Sequence, residues 1–224
     1  MSDPVAGRLV LLAGGTSTVG RRAAEALTVA GARVVVAGRD PEKLAALAAE
    51  VPGIATETVD LTDEAAVTAL AEKVHTAHGR VDGILHLVGG WRGGGGLAGQ
   101  SDPDYRVLET SLTALRHTTR AFYDDLVASP AGRLAMISST AVARPLAGGA
   151  NYAAVKAASE AWTRAVAQGF AKAARDAGEP ASSAAVIFRV KSLEGLEEQV
   201  AAAFVALFAA DASSANDEVV TLDA

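Results

Sequence analysis

Seven short apolar runs alternate with longer helix-like segments along almost the whole chain, and this alternation limits the possible folds more than any other feature. The runs are continuously hydrophobic, which is typical of strands buried on both faces. Strands that alternate with helices predict a parallel sheet covered by helices on both sides. The sequence therefore predicts a three-layer α/β fold, a doubly wound parallel sheet with about seven strands.

Helix-capping residues and breakers place the bounds of these segments. Asp40 followed by Pro41 is typical of a helix start, and Gly31 is typical of a helix end. The predicted strands are Leu9–Ala13, Arg33–Ala37, Thr56–Val59, Ile84–Val88, Arg133–Ser138, Ala184–Val190 and Glu218–Leu222. The predicted helices are Thr18–Ala30, Pro41–Glu50, one from Thr62 or Asp63 to His78, Asp104–Ala128, Asn151–Ala177 and Leu196–Ala210.

The composition excludes several functional classes. With 224 residues and 50% hydrophobic content, the chain matches one globular domain over residues 1–224. The absence of cysteine rules out disulfides and thiolate catalysis, and a net charge of -6 leaves no basic surplus to bind nucleic acid. No apolar run is long enough to span a bilayer, and Met1–Arg8 carries no apolar signal region. We therefore expect a cytoplasmic protein without nucleic acid or membrane partners.

A glycine-rich turn, Gly14–Gly20, joins the first predicted strand to the first predicted helix. Glycines allow a tight turn and close approach to a phosphate, and the helix terminus that follows offers free N–H groups. The turn therefore indicates a site for the phosphates of a nucleotide. The alternative is a turn that binds no ligand, because a glycine pattern alone is weakly specific.

The end of the second predicted strand indicates which nicotinamide cofactor is preferred. A fold that binds NAD usually has an acidic residue there to hold the ribose hydroxyls, whereas this chain has Gly38 followed by Arg39. The guanidinium of Arg39 can pair with the 2′-phosphate of NADP(H), and Thr16 and Ser17 can add hydroxyl donors. We therefore predict NADP(H) as the cofactor. The alternative is that Arg39 is a solvated cation of a loop.

Tyr152 and Lys156 form a Y-x-x-x-K pattern in the fifth predicted helix. A spacing of four residues places both side chains on one face of the helix. Tyrosine ordinarily titrates at about pH 10, and a neighbouring ammonium favours the phenolate, so Lys156 is predicted to lower the pKa of Tyr152. The pair would then serve as general acid and base between an alcohol and a carbonyl. The alternative is an exposed tyrosine beside a solvated lysine.

Ser139 follows an apolar strand and precedes Tyr152 by thirteen residues. With Gly14, Gly20 and the Y-x-x-x-K pattern, this spacing makes the chain resemble the short-chain dehydrogenase/reductase family over about residues 9–170. The resemblance implies a Rossmann-type fold and an NADP(H)-dependent oxidoreductase. It implies that Tyr152 exchanges a proton with the substrate oxygen, that Ser139 hydrogen-bonds that oxygen, and that Lys156 tunes Tyr152 and contacts the nicotinamide ribose.

The resemblance also implies further site residues. Asp60 is similar to the family aspartate that contacts the adenine region, although it can equally be a helix-capping acid. Ser111 takes the place of the helix asparagine that belongs to the family's proton relay. The other residues implied at the cofactor are Gly14, Thr16, Ser17, Thr18, Val19, Leu61, Val88, Gly89 and Gly90.

This chain departs from the family pattern at several positions. Ala13 and Thr18 replace the usual threonine and middle glycine of the phosphate turn, and Thr18 adds a side chain where a pyrophosphate would approach. His86–Gly89 stands where the family often has N-N-A-G. Ser111 has a shorter reach than asparagine. Phe188–Arg189 stands where a Pro-Gly usually follows the sixth strand.

The substrate side is predicted to be open. Only Lys191–Gly195 separates the sixth strand from the next helix, which is too short for a helical lid. Trp91 and Arg92 in the loop after the fourth strand, and Arg144 between Ser139 and Tyr152, remain to contact a substrate. The alternative is that Trp91 packs under its own loop and that both arginines are solvated.

Three functional hypotheses follow. The first is a carbonyl reductase or alcohol dehydrogenase that uses NADP(H) and a small carbonyl or alcohol substrate. The second is a reductase of a flat heteroaromatic, because the run at Trp91 is similar to that of dihydropteridine reductases. The third is an NADP-binding scaffold or redox sensor without turnover. The resemblance implies a homodimer or homotetramer. No metal is expected, because His75 and His78 have no further ligands nearby in sequence.

Overall fold

Seven parallel strands lie within residues 3–223, the part of the chain that the computed structural model describes. They are β1 Leu9–Ala13, β2 Arg33–Gly38, β3 Ala55–Thr58, β4 Gly83–His86, β5 Gly132–Ser139, β6 Ser183–Val190 and β7 Val219–Leu222. The strand order is β3-β2-β1-β4-β5-β6-β7. The predicted α/β fold with a doubly wound parallel sheet is therefore confirmed. The order reverses beside β1, and a ligand crevice is expected where the carboxyl ends of β1 and β4 diverge.

Eight α-helices connect these strands within the described range. They are α1 Thr18–Val29, α2 Pro41–Glu50, α3 Glu64–His78, α4 Asp102–Ala121, α5 Tyr123–Ala128, α6 Ala150–Ala177, α7 Glu197–Ala206 and α8 Ala212–Ala215. Asp40 and Asp63 cap α2 and α3 by accepting backbone N–H groups with their carboxylates. Local capping chemistry therefore starts these two helices where the sequence predicts.

Alternate residues of β1 belong to two different cores, one on each face of the sheet. Val10 and Leu12 pack with the core that contains α1 and α7, whereas Leu9 and Leu11 pack with the core that contains α3 and α6. All four side chains are at most 1% exposed. Burial of such a side chain contributes about 1.5–3 kcal/mol, which explains why β1 is continuously apolar.

Two predicted helices are wrong in their extent. The predicted helix Asp104–Ala128 is broken at Phe122, where the backbone leaves helical geometry (ψ 11°) and the ring is fully buried. The predicted helix Leu196–Ala210 ends at Ala206 and continues as tight turns. Arg133 explains this ending, because its guanidinium donates hydrogen bonds to the carbonyls of Leu207 and Ala210.

Candidate active site

The glycine turn after β1 is built for close packing against the loop after β4. Gly14 has a φ of 80°, and a Cβ on it would lie 2.7 Å from Cγ2 of Val88. A Cβ on Gly20 would lie 2.1 Å from the carbonyl oxygen of Gly15. Ser17 caps α1 by accepting the N–H of Gly20. The turn therefore needs glycine at both positions and directs the amino terminus of α1 toward the crevice.

Two joined cavities run along the carboxyl edge of the sheet, with volumes of about 770 and 1250 Å³. Both are lined by Ser17, Leu87, Val88 and Gly89, so they form one continuous groove. Every residue predicted at the cofactor lines one or both of them. The smaller cavity contains Gly14, Thr16, Ser17, Arg39, Asp60, Leu61, Val88 and Gly89, and the larger contains Ser17, Thr18, Val19, Val88, Gly89, Gly90, Tyr152 and Lys156.

The carboxylates at the smaller cavity are committed to local structure. Asp60 accepts hydrogen bonds from the backbone N–H and the hydroxyl of Thr62, at 2.9 and 2.7 Å. These bonds lower the pKa of Asp60, and the charge of Arg39 adds to the effect. Asp40 accepts from two N–H groups of α2. The guanidinium of Arg39 is exposed beside them, so the mouth of this cavity presents a cation and two occupied carboxylates.

The larger cavity brings together the three residues predicted to be catalytic. Ser139 is the last residue of β5, and Tyr152 and Lys156 lie one turn apart on α6. The ammonium of Lys156 donates a 2.8 Å hydrogen bond to the carbonyl of Ile137 in β5. Ser139 is 5% exposed and Lys156 is 7% exposed. The end of β5 therefore fixes both the hydroxyl and the ammonium beside the half-buried Tyr152.

The predicted pKa effect on Tyr152 is wrong in direction. Burial raises the pKa of Tyr152 above its usual value, and the hydrogen bond of Ser139 only partly opposes this. The ammonium of Lys156 lies 5.9 Å from the centroid of the Tyr152 ring and is held by Ile137. Burial lowers the pKa of Lys156 itself to about 8, against the opposing charge of Glu160. In the described structure, desolvation therefore outweighs the charge of Lys156 at Tyr152.

Ser111 is not brought into the groove. Its hydroxyl donates a 2.8 Å hydrogen bond to the carbonyl of Leu108 in its own helix, and it lines neither cavity among the described residues. Its carbonyl instead accepts from Nε2 of His86 at 3.1 Å. A carbonyl can only accept, so Nε2 carries the proton. The predicted relay position thus contacts a histidine ring through its backbone.

His86 is a residue whose place in the site the sequence reasoning missed. It ends β4, is 3% exposed, and its Nδ1 has no hydrogen-bond partner within residues 3–223. Burial lowers its pKa to about 3, and the charge of Lys156 adds to this. His86 is therefore neutral behind Lys156. A histidine ending an otherwise apolar strand was the available signal.

Phe188 and Arg189 do not follow β6 but lie inside it, which corrects their predicted place. Phe188 is 1% exposed in the core, and Arg189 donates to both carboxylate oxygens of Glu160, at 2.8 and 2.6 Å. Ser138 donates to the same carboxylate at 2.6 Å. Burial would raise the pKa of Glu160, but these hydrogen bonds outweigh it and keep the pKa low. The cluster joins β5, β6 and α6 one turn beyond Lys156.

The substrate side of the larger cavity is lined by Trp91, Arg144 and Leu146. Trp91 is 60% exposed and Leu146 is 71% exposed. Arg92 points elsewhere: its guanidinium donates to the carbonyl of Trp91 at 2.9 Å, and among the described residues it lines neither cavity. The connection from β6 to α7 is as short as predicted and lines the cavity along one side.

Two further classes of site are not found in residues 3–223. No group of three or more histidine, aspartate or glutamate side chains there is arranged to hold a metal ion. None of the helices in this range has the combination of length and apolar character needed to cross a membrane. Among these residues the groove is therefore the feature with the clearest chemistry.

Comparison with known proteins agrees with this geometry. The model of the short chain dehydrogenase family matches residues 8–174. Dehydrogenase/reductase SDR family member 7B of Bos taurus is 31% identical over 164 residues, which are 69% of this chain and 50% of that protein. The 2-keto-3-deoxy-L-fuconate dehydrogenase of Xanthomonas campestris is 32% identical over 165 residues, 72% of this chain and 53% of that protein.

Solved structures show the same fold over the whole length. The crystal structure of a metagenomic short-chain oxidoreductase in complex with NADP has a TM-score of 0.84 and 26% identity, and the match covers 99% of both chains. The chain therefore belongs to the short-chain dehydrogenase/reductase family. It spans about half the length of the two curated relatives named above.

Proposed function

We propose that this protein is an oxidoreductase that uses NADP(H) to interconvert a carbonyl and an alcohol. The observation that carries the proposal is the continuous groove, which starts at Arg39 and ends at Ser139, Tyr152 and Lys156. A dinucleotide needs one elongated site with a phosphate turn near its middle. Ser17, which caps α1, lines both halves of the groove.

The residues present fit this cofactor. The glycine turn leaves no room for a Cβ at Gly14, and α1 begins at the groove with free N–H groups. Arg39 supplies the cation that a 2′-phosphate requires, while buried Gly38 supplies no carboxylate to repel it. When bound, NADP(H) supplies the hydride. The name of a solved structure similar to this chain includes NADP, which supports the same choice.

The chain's own residues then hold and move the proton. The raised pKa of Tyr152 keeps its hydroxyl protonated at neutral pH, so it can donate to the oxygen of a carbonyl as that oxygen gains charge. Ser139, at the end of β5, donates a hydrogen bond to the same oxygen and orients it. Lys156 is fixed by the carbonyl of Ile137 and lies below Tyr152, where its ammonium stabilises the phenolate that remains.

The open rim favours a substrate with a flat or apolar part. Trp91 and Leu146 face solvent at the entrance of the larger cavity, and Arg144 lies between them and Ser139. A reductase of a flat heteroaromatic is the second candidate, because an exposed tryptophan at a cavity is suited to stacking. We also propose that α4 and α6 pair with a second copy, as family membership implies.

A two-part experiment tests the function. NADPH and NADH are titrated against the purified protein, and NADPH oxidation is then followed with aldehydes, ketones and a quinonoid pterin. Turnover of aldehydes or ketones supports the first candidate, and turnover of the pterin alone supports the second. NADPH binding without turnover of any of these would contradict both and favour a scaffold. Failure to bind either nucleotide would contradict the assignment of the groove.

A further inference from the structure

One side chain joins three segments around the larger cavity. Gln100 lies between the glycine loop, defined here as Gly89–Gly99, and helix α4. Its side-chain nitrogen donates to the carbonyls of Gly94, Gly96 and Gly148 at 3.1, 3.2 and 3.0 Å. Its side-chain oxygen accepts the backbone N–H of Asn151 at 3.1 Å. Both ends of one amide are therefore in use.

The orientation of this amide is determined by its partners. A reversed amide would place its oxygen against three carbonyl oxygens and its NH₂ group against the N–H of Asn151. Neither arrangement can form a hydrogen bond. The contacts of Gln100 thus require the observed orientation, with donors toward the glycine loop and the acceptor toward α6.

The acceptor end completes the start of α6. The residue before this helix is Gly149, and no side chain of the adjoining turn caps it. The first N–H groups of a helix have no partner within the helix, and side-chain oxygens usually accept them. Gln100 takes this role for Asn151, the residue directly before Tyr152. The cap therefore comes from a position 51 residues earlier in the chain.

The donor end holds the glycine loop across the cavity. The N–H of Gly94 also donates to Gly148 at 2.7 Å, and a Cβ on Gly93 would lie 2.4 Å from the carbonyl oxygen of Gly148. The loop therefore lies directly on the segment before α6. Trp91 on one side of this contact and Leu146 on the other both line the larger cavity.

We propose that Gln100 is a positioning residue that holds the glycine loop across the larger cavity and caps α6 at the same time. Its two ends keep the substrate wall and Tyr152 in one fixed geometry. This inference rests on the proposed function for its effect on turnover, whereas its structural part is independent of it. The contacts of Gln100 define a joint between the wall and the catalytic helix that no local sequence pattern indicates.

Two substitutions separate the two ends of the side chain. Gln100→Glu keeps an acceptor for Asn151 but turns a carboxylate toward the carbonyls of the loop, so it should release the loop and leave the cap. Gln100→Met keeps the shape and loses both functions. Gln168→Glu makes the same change of charge at an exposed position of α6 and serves as the control.

Hydrogen exchange followed by mass spectrometry gives the structural readout without turnover. For Gln100→Glu we expect exchange of the segment 90–99 to rise about tenfold, while the segment 150–153 stays within about twofold. For Gln100→Met both segments should exchange faster. Peptides from α3 report on global unfolding and should stay unchanged. Unchanged exchange of 90–99 in both variants would overturn the proposal.

Steady-state kinetics with a substrate found by the carbonyl panel give the functional readout. Loop release in Gln100→Glu should raise KM about five- to tenfold and leave kcat within about twofold, whereas Gln100→Met should also lower kcat. If either variant unfolds, Gly93→Ala releases the loop by steric clash with Gly148 and should raise KM in the same way. An unchanged KM in the folded variants would overturn the positioning role. Failure of the unmodified protein to turn over any carbonyl would contradict the proposed function and leave the exchange test intact.

Discussion

Replacing Arg39 with alanine tests the cofactor assignment at the residue that carries it. Arg39 follows β2 at the mouth of the smaller cavity and is exposed. The other nearby cation, Lys43, is 3.6 Å from the carboxylate of Asp40. Gly38 is buried, and a Cβ there would lie 3.2 Å from Cγ2 of Thr16. The substitution therefore removes the available guanidinium and leaves the packing of the cavity in place.

The size of the effect follows from the exposure of Arg39. A hydrogen bond to a charged group contributes about 1.5–3 kcal/mol, and contact with solvent favours the lower end of that range. A contribution of about 1.5 kcal/mol corresponds to roughly a tenfold change in affinity. Arg39→Ala should therefore weaken NADPH binding about tenfold and change NADH binding less than about twofold. The preference for NADPH should also decrease with added salt.

Fluorescence titrations of both nucleotides against the unmodified protein, Arg39→Ala and Arg175→Ala provide the assay. Arg175 is an exposed arginine near the end of α6, so its removal controls for the loss of one positive charge. Equal affinities for NADPH and NADH in the unmodified protein would refute the reasoning. An Arg39→Ala variant that keeps the full preference would refute it as well.

Three further predictions concern the groove and the cluster behind it. Because burial lowers the pKa of Lys156 to about 8, kcat/KM should fall as pH rises through about 8; a flat profile would contradict this. The pKa of Glu160 is held below its ordinary 4.5, so its contribution to stability is present above that pH and is lost as pH falls through the folded value. Glu160→Gln should abolish this loss and lower the free energy of unfolding by about 3 kcal/mol in urea titrations at pH 7; an unchanged acid profile would contradict the role. Trp91→Ala and Arg144→Ala should raise KM for the substrate and leave NADPH affinity unchanged, with Arg92→Ala as the control; unchanged KM in both would remove support for the substrate wall.

The sheet could be predicted because its information is local. Strands such as β1 are buried on both faces and are therefore continuously apolar, and Asp40 with Pro41 starts α2 by capping chemistry alone. The break at Phe122 could not be predicted, because it depends on burying that ring against distant elements. The end of α7 depends on Arg133, which reaches its carbonyls from 74 residues away.

The site divides in the same way. Ser139, Tyr152 and Lys156 were predictable because one helix turn and one strand end set their spacing. The pKa of Tyr152 was not, because desolvation depends on the whole surrounding fold and outweighs its one charged neighbour. Contacts between distant positions were equally hidden, and the hydrogen bonds from Arg189 to Glu160 are one example.

The central claim is that Tyr152 donates the proton in a reduction that uses NADPH. Single-turnover oxidation of NADPH, with a carbonyl substrate from the panel, tests it most directly in Tyr152→Phe. Tyr105→Phe, an exposed tyrosine on α4, is the control. The structure predicts a loss of about 10²–10⁴-fold in rate for Tyr152→Phe, with NADPH affinity within about twofold and no change in the control. A Tyr152→Phe variant that reduces the substrate at the rate of the unmodified protein would contradict the claim.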